Sequence, residues 1–523
     1  MTKYILGVDV GSTNTDAVIV DENRNFIEGA KSTTTPDITT GIINSMKLVL
    51  EKAKVNKDDI VAVSFGTTHV INAIVQRKGL GRVGVIRIGA PATRSVEPGI
   101  DWPEDLKKVV IAGYTIIRGG HEYTGEQIVE LDRDAVIKTL KMFKEMRVDA
   151  IAVTSVFSIV NPEHELYVAE KSKEILPEVP VVMSHEISSI GLLERENATI
   201  LNAATLKVMQ RAINALENAL QDLGLSHAKM FFAQNDGTVA TKEYIAKYPI
   251  FTVVAPISNS IRGAYVLTKI PNAIVADTGG TTTNVGVLRN GYPREGLEIE
   301  IGGVKTNIRA PDVLAIGLGG GSIVRVQGNN ITVGPESVGY RLTEVGIAWG
   351  GDVITATDIA LAKGVMMIDD QRCKPELARQ KIDPVLVNNA YEEMMRMLED
   401  AIDRVKTSPE PETVILVGGG SMMWPRKLAG AKEVIRPTHA QYANAIGAAT
   451  ALVGAHEEKA FSYETVPREK AISITIDETK RKAVEAGADP STLEVTEVEE
   501  VAMPYLPGNA VKIRVKVVGK LRL

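Results

Sequence analysis

Two α/β lobes built on one plan, followed by a small β-rich C-terminal module, are what the sequence predicts. Three observations carry the expectation: short apolar runs alternate with longer helical patterns, one Asp-Gly pattern recurs at a large interval, and the character of the chain changes after about residue 460. At 523 residues the chain is too long for one compact core, so roughly two to four domains are expected. A hydrophobic fraction of 44% and a charged fraction of 24% sit near globular averages and argue against long disordered stretches.

Taken in order, residues 4–10, 17–20, 60–65, 83–88, 150–156 and 180–183 read as strands from their apolar runs and flanking turn residues. Residues 41–53, 70–76, 134–145 and 162–175 read as helices between them. The last opens with Asn161 as N-cap and Pro162 at the first helical position, where its missing N–H costs nothing. A long helix over about 197–223 follows, and strand and turn signals resume around Met230, Thr252 and Ile274. Further helices are expected at 357–364, 384–406 and 441–453, with a strand at 414–417. After about 460, a short helix near 478–486 precedes alternating segments such as 511–518. The expected domains are therefore 1–190, 191–456 and 457–523.

Composition narrows the function classes. Net charge is −6 with no long Lys/Arg run, so neither a nucleic-acid nor an anionic-membrane partner is expected. The single cysteine, Cys373, excludes an internal disulfide and a multi-thiolate zinc site within the chain. The opening residues MTKYILGVDVGS run straight into a motif and lack a secretory pattern, and no stretch approaches the ~18 to 20 apolar residues of a membrane span. The expected location is cytoplasmic.

The recurring pattern is GVDVGSTNTDAVIV from Gly7 and VADTGGTTTNVGVL from Val275. Aligning Asp9 with Asp277 pairs Gly11 with Gly279, Thr13 with Thr281, Thr15 with Thr283 and Asp16 with Asn284. Each copy is an apolar strand ending in Asp, a Gly-rich turn with hydroxyl residues, and a second apolar strand. Glycines let backbone N–H groups approach phosphate oxygens, so Gly11, Ser12, Thr13, Asn14, Thr15, Gly279, Gly280, Thr281 and Thr282 form two candidate phosphate cradles. A carboxylate there would repel phosphate, so Asp9 and Asp277 make sense with a bridging Mg²⁺ or as positioners of an attacking water. They are the candidate catalytic and metal residues, and the implied cofactors are ATP and Mg²⁺. One such loop is ordinary hairpin chemistry; two matched copies are not. No G-x-x-x-x-G-K-[ST] loop and no dinucleotide-type G-x-G-x-x-G occurs. A third glycine cluster, Gly418, Gly419 and Gly420, follows the 414–417 strand. The small-residue run at Ala445, Ile446 and Gly447 suits close packing between lobes.

These residues resemble the actin-like sugar kinase and chaperone ATPase superfamily and, within it, the hydantoinase A / 5-oxoprolinase (N-methylhydantoinase A) family. The resemblance runs through GTTHVINAIVQRKG at Gly66, RGGHEYTGEQIVELD at Arg118, SVFSIVNPEHE at Ser155, ERENATILNAA at Glu194, IGLGGGSI at Ile316, VGPESVG at Val333 and TDIALAKG at Thr357. It implies a two-lobed actin-like ATPase fold and a subunit of an ATP-dependent amidohydrolase that phosphorylates the carbonyl oxygen of a small cyclic amide or imide of hydantoin, 5-oxoproline or lactam type, promoting ring opening. It also implies a second, hydantoinase B-like subunit and an oligomer. Gly418 to Gly420 would then pass under the adenosine. Family chains usually carry Asp where this one has Asn284, and this chain is shorter at its C-terminal end.

Two alternatives stay open: a small-molecule kinase or the carbonyl-phosphorylating subunit of a carboxylase, and a nucleotide-gated actin-like interaction protein. His69, after GTT, His121, in a Gly-flanked loop, and Glu336 with Ser337, in VGPES, are candidate substrate contacts. His164 reads as a solvated residue in a helix's first turn, Arg118 and Arg195 as carboxylate or phosphate binders or surface ion pairs, and Asp358 as a helix cap. No His-Glu pair completes H-E-x-x-H.

Overall fold

The computed structural model describes residues 2–328 and 330–523. The chain opens with a strand hairpin, β1 (Tyr4–Val10) and β2 (Asn14–Asp21), extended by β3 (Phe26–Thr33), and β1 pairs in parallel with β4 (Ile60–Gly66). The inner residues Leu6, Val8, Val18 and Val20 are fully buried on both faces of this sheet, as continuous apolar strands covered by helices require.

A separate four-stranded parallel sheet follows: β5 (Val83–Ala90), β6 (Ile111–Arg118), β7 (Ala150–Ser155) and β8 (Val181–Met183), in the order β6-β5-β7-β8. It is tied to the 31-residue helix Leu192–Asp222 by a buried ion pair, in which Arg87 of β5 meets Glu196 at 2.5 and 2.7 Å. The chain then returns to the first sheet through β9 (Lys229–Ala233), parallel to β4, and the short antiparallel β10 (Val239–Thr241). The rings of Phe65 and Phe232, 5.6 Å apart, belong to the core beneath.

The second lobe repeats the opening plan. β11 (Ala273–Thr278) and β12 (Thr283–Arg289) form a hairpin in which Asp277 opposes Asn284, as Asp9 opposes Asp16 in the first. β11 pairs in parallel with the Glu412–Val417 strand, as β1 does with β4. Around this sheet a second core gathers Trp424, Met394, Leu398 and Ile402. The fold is a two-lobed α/β fold of the actin-like type.

Residues 453–519 add to the first sheet. Val453–Ser462 lies parallel to β10, Ala510–Gly519 pairs with it, and Glu494–Ala502 forms the edge of a nine-stranded sheet. The helical part of this region is longer than its sequence pattern indicates, spanning Arg468–Glu485 with Ala471, Thr475 and Ala483 buried. The lobes meet where the Ala255–Thr268 and Ala443–Thr450 helices cross. A side chain at Gly263 would collide with the Ala443 carbonyl and one at Gly447 with the Asn259 carbonyl, so only glycine permits this approach. No helix among the described residues is long and apolar enough to cross a membrane.

Candidate active site

The two hairpin turns have the same hydrogen bond. In the first, Gly11 N donates to Asn14 O at 2.9 Å; in the second, Gly279 N donates to Thr282 O at 2.9 Å. Their tips touch across the lobes: Ser12 Oγ lies 3.0 Å from Thr281 Oγ1, and a side chain at Gly280 would collide with Thr13 Oγ1. Thr13 Oγ1 is buried without a partner. In the first loop, Thr34 Oγ1 donates to Gly11 O at 2.8 Å. The second is braced from several sides. Gly320 N and Gly321 N donate to Gly279 O and Gly280 O at 2.9 and 2.7 Å, Gly420 N donates to Thr278 O at 2.8 Å, and the buried Trp424 Nε1 donates to Thr278 Oγ1 at 2.7 Å.

Asp9 and Asp277 end their strands as buried carboxylates. Burial, reinforced by the charges of Asp16 and Asp277, pushes the Asp9 carboxyl up to about 7 against the opposing Asn259 and Asn444 contacts. Asn259 Nδ2 donates to Asp9 Oδ1 at 3.0 Å, and Gly66 leaves room for that carboxylate, since a side chain there would strike it. Burial likewise raises Asp277, whose charged form is favoured by Ser260 and Asn444. Asp16 is raised by burial too, although Lys31 Nζ donates to both its oxygens at 2.6 and 2.8 Å.

Three acidic groups therefore converge on the gap between two glycine turns at the cost of mutual repulsion. No cluster of three or more His, Cys, Asp or Glu among the described residues is arranged to hold a metal on its own. The donor set nevertheless fits a hard dication held partly by phosphate: two buried carboxylates whose pKa values burial and repulsion raise, and an orphaned threonine hydroxyl at the tip of the first turn. Asp9 and Asp277 would hold such an ion.

Of the other residues singled out from sequence, Gly418 and Gly420 line the second turn. A side chain at Gly418 would meet Asp277 Oδ1, whereas one at Gly419 would meet no atom within 4 Å. Ser337 Oγ donates to Gly280 O at 3.2 Å, so it buttresses the second turn. Glu336 departs from the expected substrate set: it is exposed and paired with Arg325. Consecutive strand residues point to opposite faces, so only one of this pair could turn inward. His69 opens the His69–Gln76 helix just past Gly66, bonds Thr67 Oγ1, and burial lowers its pKa to about 4.

His121 is fully buried with both ring nitrogens unpartnered, 4.3 Å from the His164 ring. His164 is not solvated: its Nδ1 accepts from Gly120 N at 3.0 Å because the Gly119-Gly120 turn folds over it. Arg195 is also buried, donating to Ser184 Oγ, Ser189 O and Ser155 O. Asp358 is a helix cap, in a capping box with Thr355, and additionally accepts from Ala348 N at 2.7 Å. The residues that sequence reasoning missed are Lys31, Asn259, Ser260 and Asn444. The last three are polar side chains on the two crossing helices, and only the lobe contact brings them to the carboxylates.

Comparisons with known proteins give the family and the fold. The profile of the hydantoinase/oxoprolinase N-terminal region matches residues 5–176, and that of the hydantoinase/oxoprolinase domain matches residues 195–389. The chain is 27% identical to the acetophenone carboxylase gamma subunit of Aromatoleum aromaticum over 70% of its length and 53% of that protein's. It is 27% identical to the caprolactamase subunit alpha of Pseudomonas jessenii over 70% of its length and 55% of that protein's. The chain thus spans about half the length of the curated relatives it matches. The crystal structure of the ATP-dependent caprolactamase from Pseudomonas jessenii superposes with a TM-score of 0.79 at 20% identity, covering 99% of this chain and 88% of that one.

Proposed function

Because the chain belongs to the hydantoinase/oxoprolinase family, we propose that it uses ATP to phosphorylate the carbonyl oxygen of a small cyclic amide or imide, promoting ring opening. The observation that carries the reading is the pair of matched glycine turns, each following a strand that ends in a buried aspartate, with their tips in contact across the lobes. The backbone N–H groups and hydroxyls of 11–15 and 279–282 cradle the phosphates, and the Gly418 to Gly420 turn leaves space at Gly419 for the adenosine side. Asp9 and Asp277 would hold the dication. Mg²⁺, when bound, supplies charge neutralisation for the transferring phosphoryl group.

The chemistry explains the need for ATP. Resonance makes the amide carbon a poor electrophile; once its oxygen becomes a phosphate ester, the carbon resembles an imidate and water attacks it readily. The chain's own contribution is positioning and preorganised charge. Both relatives are subunits of larger enzymes, which supports a second polypeptide that completes the reaction.

A second reading, the carbonyl-phosphorylating subunit of a carboxylase, is favoured by the likeness to the acetophenone carboxylase gamma subunit. One assay separates the two. Phosphate release from Mg-ATP is followed with hydantoin, 5-oxoproline, lactams and aryl ketones, and products are identified by mass. Stimulation by a ring compound supports the first reading, stimulation by a ketone alone supports the second, and stimulation by neither removes both.

A further inference from the structure

A cavity of about 270 Å³ lies away from the two turns, where three parts of the molecule meet. They are the 184–190 turn that follows β8, the Gln234–Asp236 turn that follows β9, and the 297–309 arm of the second lobe, closed by the Val453–Ser462 strand. We propose that this cavity is the chamber that receives the acceptor molecule, an uncharged ring amide or similar carbonyl compound, with His185 as the hydrogen-bond acceptor for its N–H. The proposal rests on the function inferred above and names where its small substrate sits.

His185 is held as a binding imidazole is held. Its Nδ1 lies 2.5 Å from Glu165 Oε2, and its backbone N donates to the same oxygen at 3.1 Å. Glu165 is fully buried and anchored by Ser184 Oγ at 2.5 Å and Ser155 N at 2.8 Å. Burial works against its charge, but His185, Ser184 and Arg195 keep its carboxyl below the ordinary value. A carboxylate so fixed accepts a hydrogen bond from Nδ1–H, sets the ring plane and leaves Nε2 of the neutral ring as an acceptor, on a residue that lines the cavity. His456 lines the same cavity, and burial holds it below its ordinary pKa.

The lining cations Arg309, Lys482 and Lys512 are already paired with Glu458 and Glu457, which selects against an anionic ligand. Arg309 and Lys512 share Glu458 at 2.7 and 3.2 Å, and Lys516 meets Asp236 at 3.2 Å, drawing that carboxyl down to about 2 despite its burial. An added anion would find no unpaired cation in the lining, whereas a neutral amide finds an imidazole acceptor, the Tyr244 phenol and apolar walls such as Ile308 and Phe251. The volume lies just under the ~300 to 1,000 Å³ typical of drug-sized sites, which suits one small ring and excludes a nucleotide.

The chamber is also wired to the phosphate site. β9 is separated from β1 by β4 alone, so the ends of β1 and β9 lie about two strand spacings, roughly 10 Å, apart. The chamber's Asn235 accepts through its carbonyl from Ser258 Oγ, and the next residue, Asn259, donates to Asp9.

The test titrates the full chain with 2-pyrrolidinone, hydantoin and caprolactam by saturation-transfer NMR, alongside stimulated phosphate release, in the wild type, His185→Gln and Ile308→Trp. Melting temperature and ADP binding check that both variants fold. The expected result is that His185→Gln raises the KM for the stimulating ring, and weakens its binding, by at least about tenfold, that Ile308→Trp abolishes binding, and that ADP affinity is kept. Equal ring binding in all three proteins overturns the chamber and leaves the proposed function standing. Failure of every ring to bind or stimulate the wild type overturns both.

Discussion

In the first hairpin Asp9 faces a second carboxylate, Asp16, across the strand pair; in the second, Asp277 faces Asn284, which carries no charge. The mechanical support runs the other way. The first turn is braced by Thr34, while the second is bound by the 319–321 glycines, Ser337, Gly420 and Trp424. One loop is electrostatically tense, with Lys31 partly relieving Asp16, and the other is stiff and closer to neutral. A dication at the gap relieves the first most, so the charge response of the site resides on Asp9 and its shape on the second turn.

The largest expected effect tests the tense side. Asp9→Asn removes the group that responds to the cation, and substrate-stimulated phosphate release should fall roughly 10² to 10³-fold, on the scale of losing one preorganised electrostatic group. Asp277→Asn should cost less; an equal or larger loss would make the loops equivalent. Next, Gly280→Val puts a side chain into Thr13 Oγ1 and should wedge the two turns apart. A loss of about tenfold in ADP affinity, read by calorimetry, is expected, with little change in melting temperature because both turns are at the surface of the gap.

Lys31→Met has a smaller, pH-dependent effect. Asp16 has a raised carboxyl in the folded protein, so the fold loses stability as pH climbs from the unfolded value through the folded one. Removing Lys31 raises that folded value further. The variant should match the wild type in urea melts at pH 4 and be about 1 to 2 kcal/mol weaker at pH 8, discounted for the part-exposed lysine. A constant deficit at both pH values would mean lost packing, with no electrostatic relief. Smallest is Trp424→Phe, which deletes the indole donor to Thr278 and should cost about 1 kcal/mol in the same melts.

How much of this was legible in the sequence depends on how local each signal is. Both Asp-Gly turns, their strands and the alignment of Asp9 with Asp277 are written in consecutive residues, and Gly447 follows from the small-residue run of the Ala443–Thr450 helix, whereas Gly263, on the helix it crosses, carries no such local signal. Asn259 and Asn444 were not legible, because a polar residue inside a helix shows its partner only when two distant helices cross. Of the C-terminal strands, 511–518 is legible from its alternation, whereas Val453–Ser462 is not: it follows directly on an expected helix, and its pairing with β10 joins residues over 200 positions apart. His164 looked solvated from its place in a helix's first turn, and it is the fold of Gly119 and Gly120 over that turn that buries it.

The most direct test of the account compares the wild type with Asp9→Asn in thermal melts from pH 5 to 8.5, with and without Mg-ADP. A carboxyl displaced from 3.8 to about 7 burdens the fold above that pH by on the order of 4 kcal/mol. Without ligand, the variant should be the more stable protein at pH 8 and lose that advantage toward pH 5, while Mg-ADP should stabilise the wild type far more than the variant. A variant less stable than the wild type at every pH, yet equally stabilised by Mg-ADP, would contradict the claim that Asp9 is the strained ligand of the nucleotide's cation.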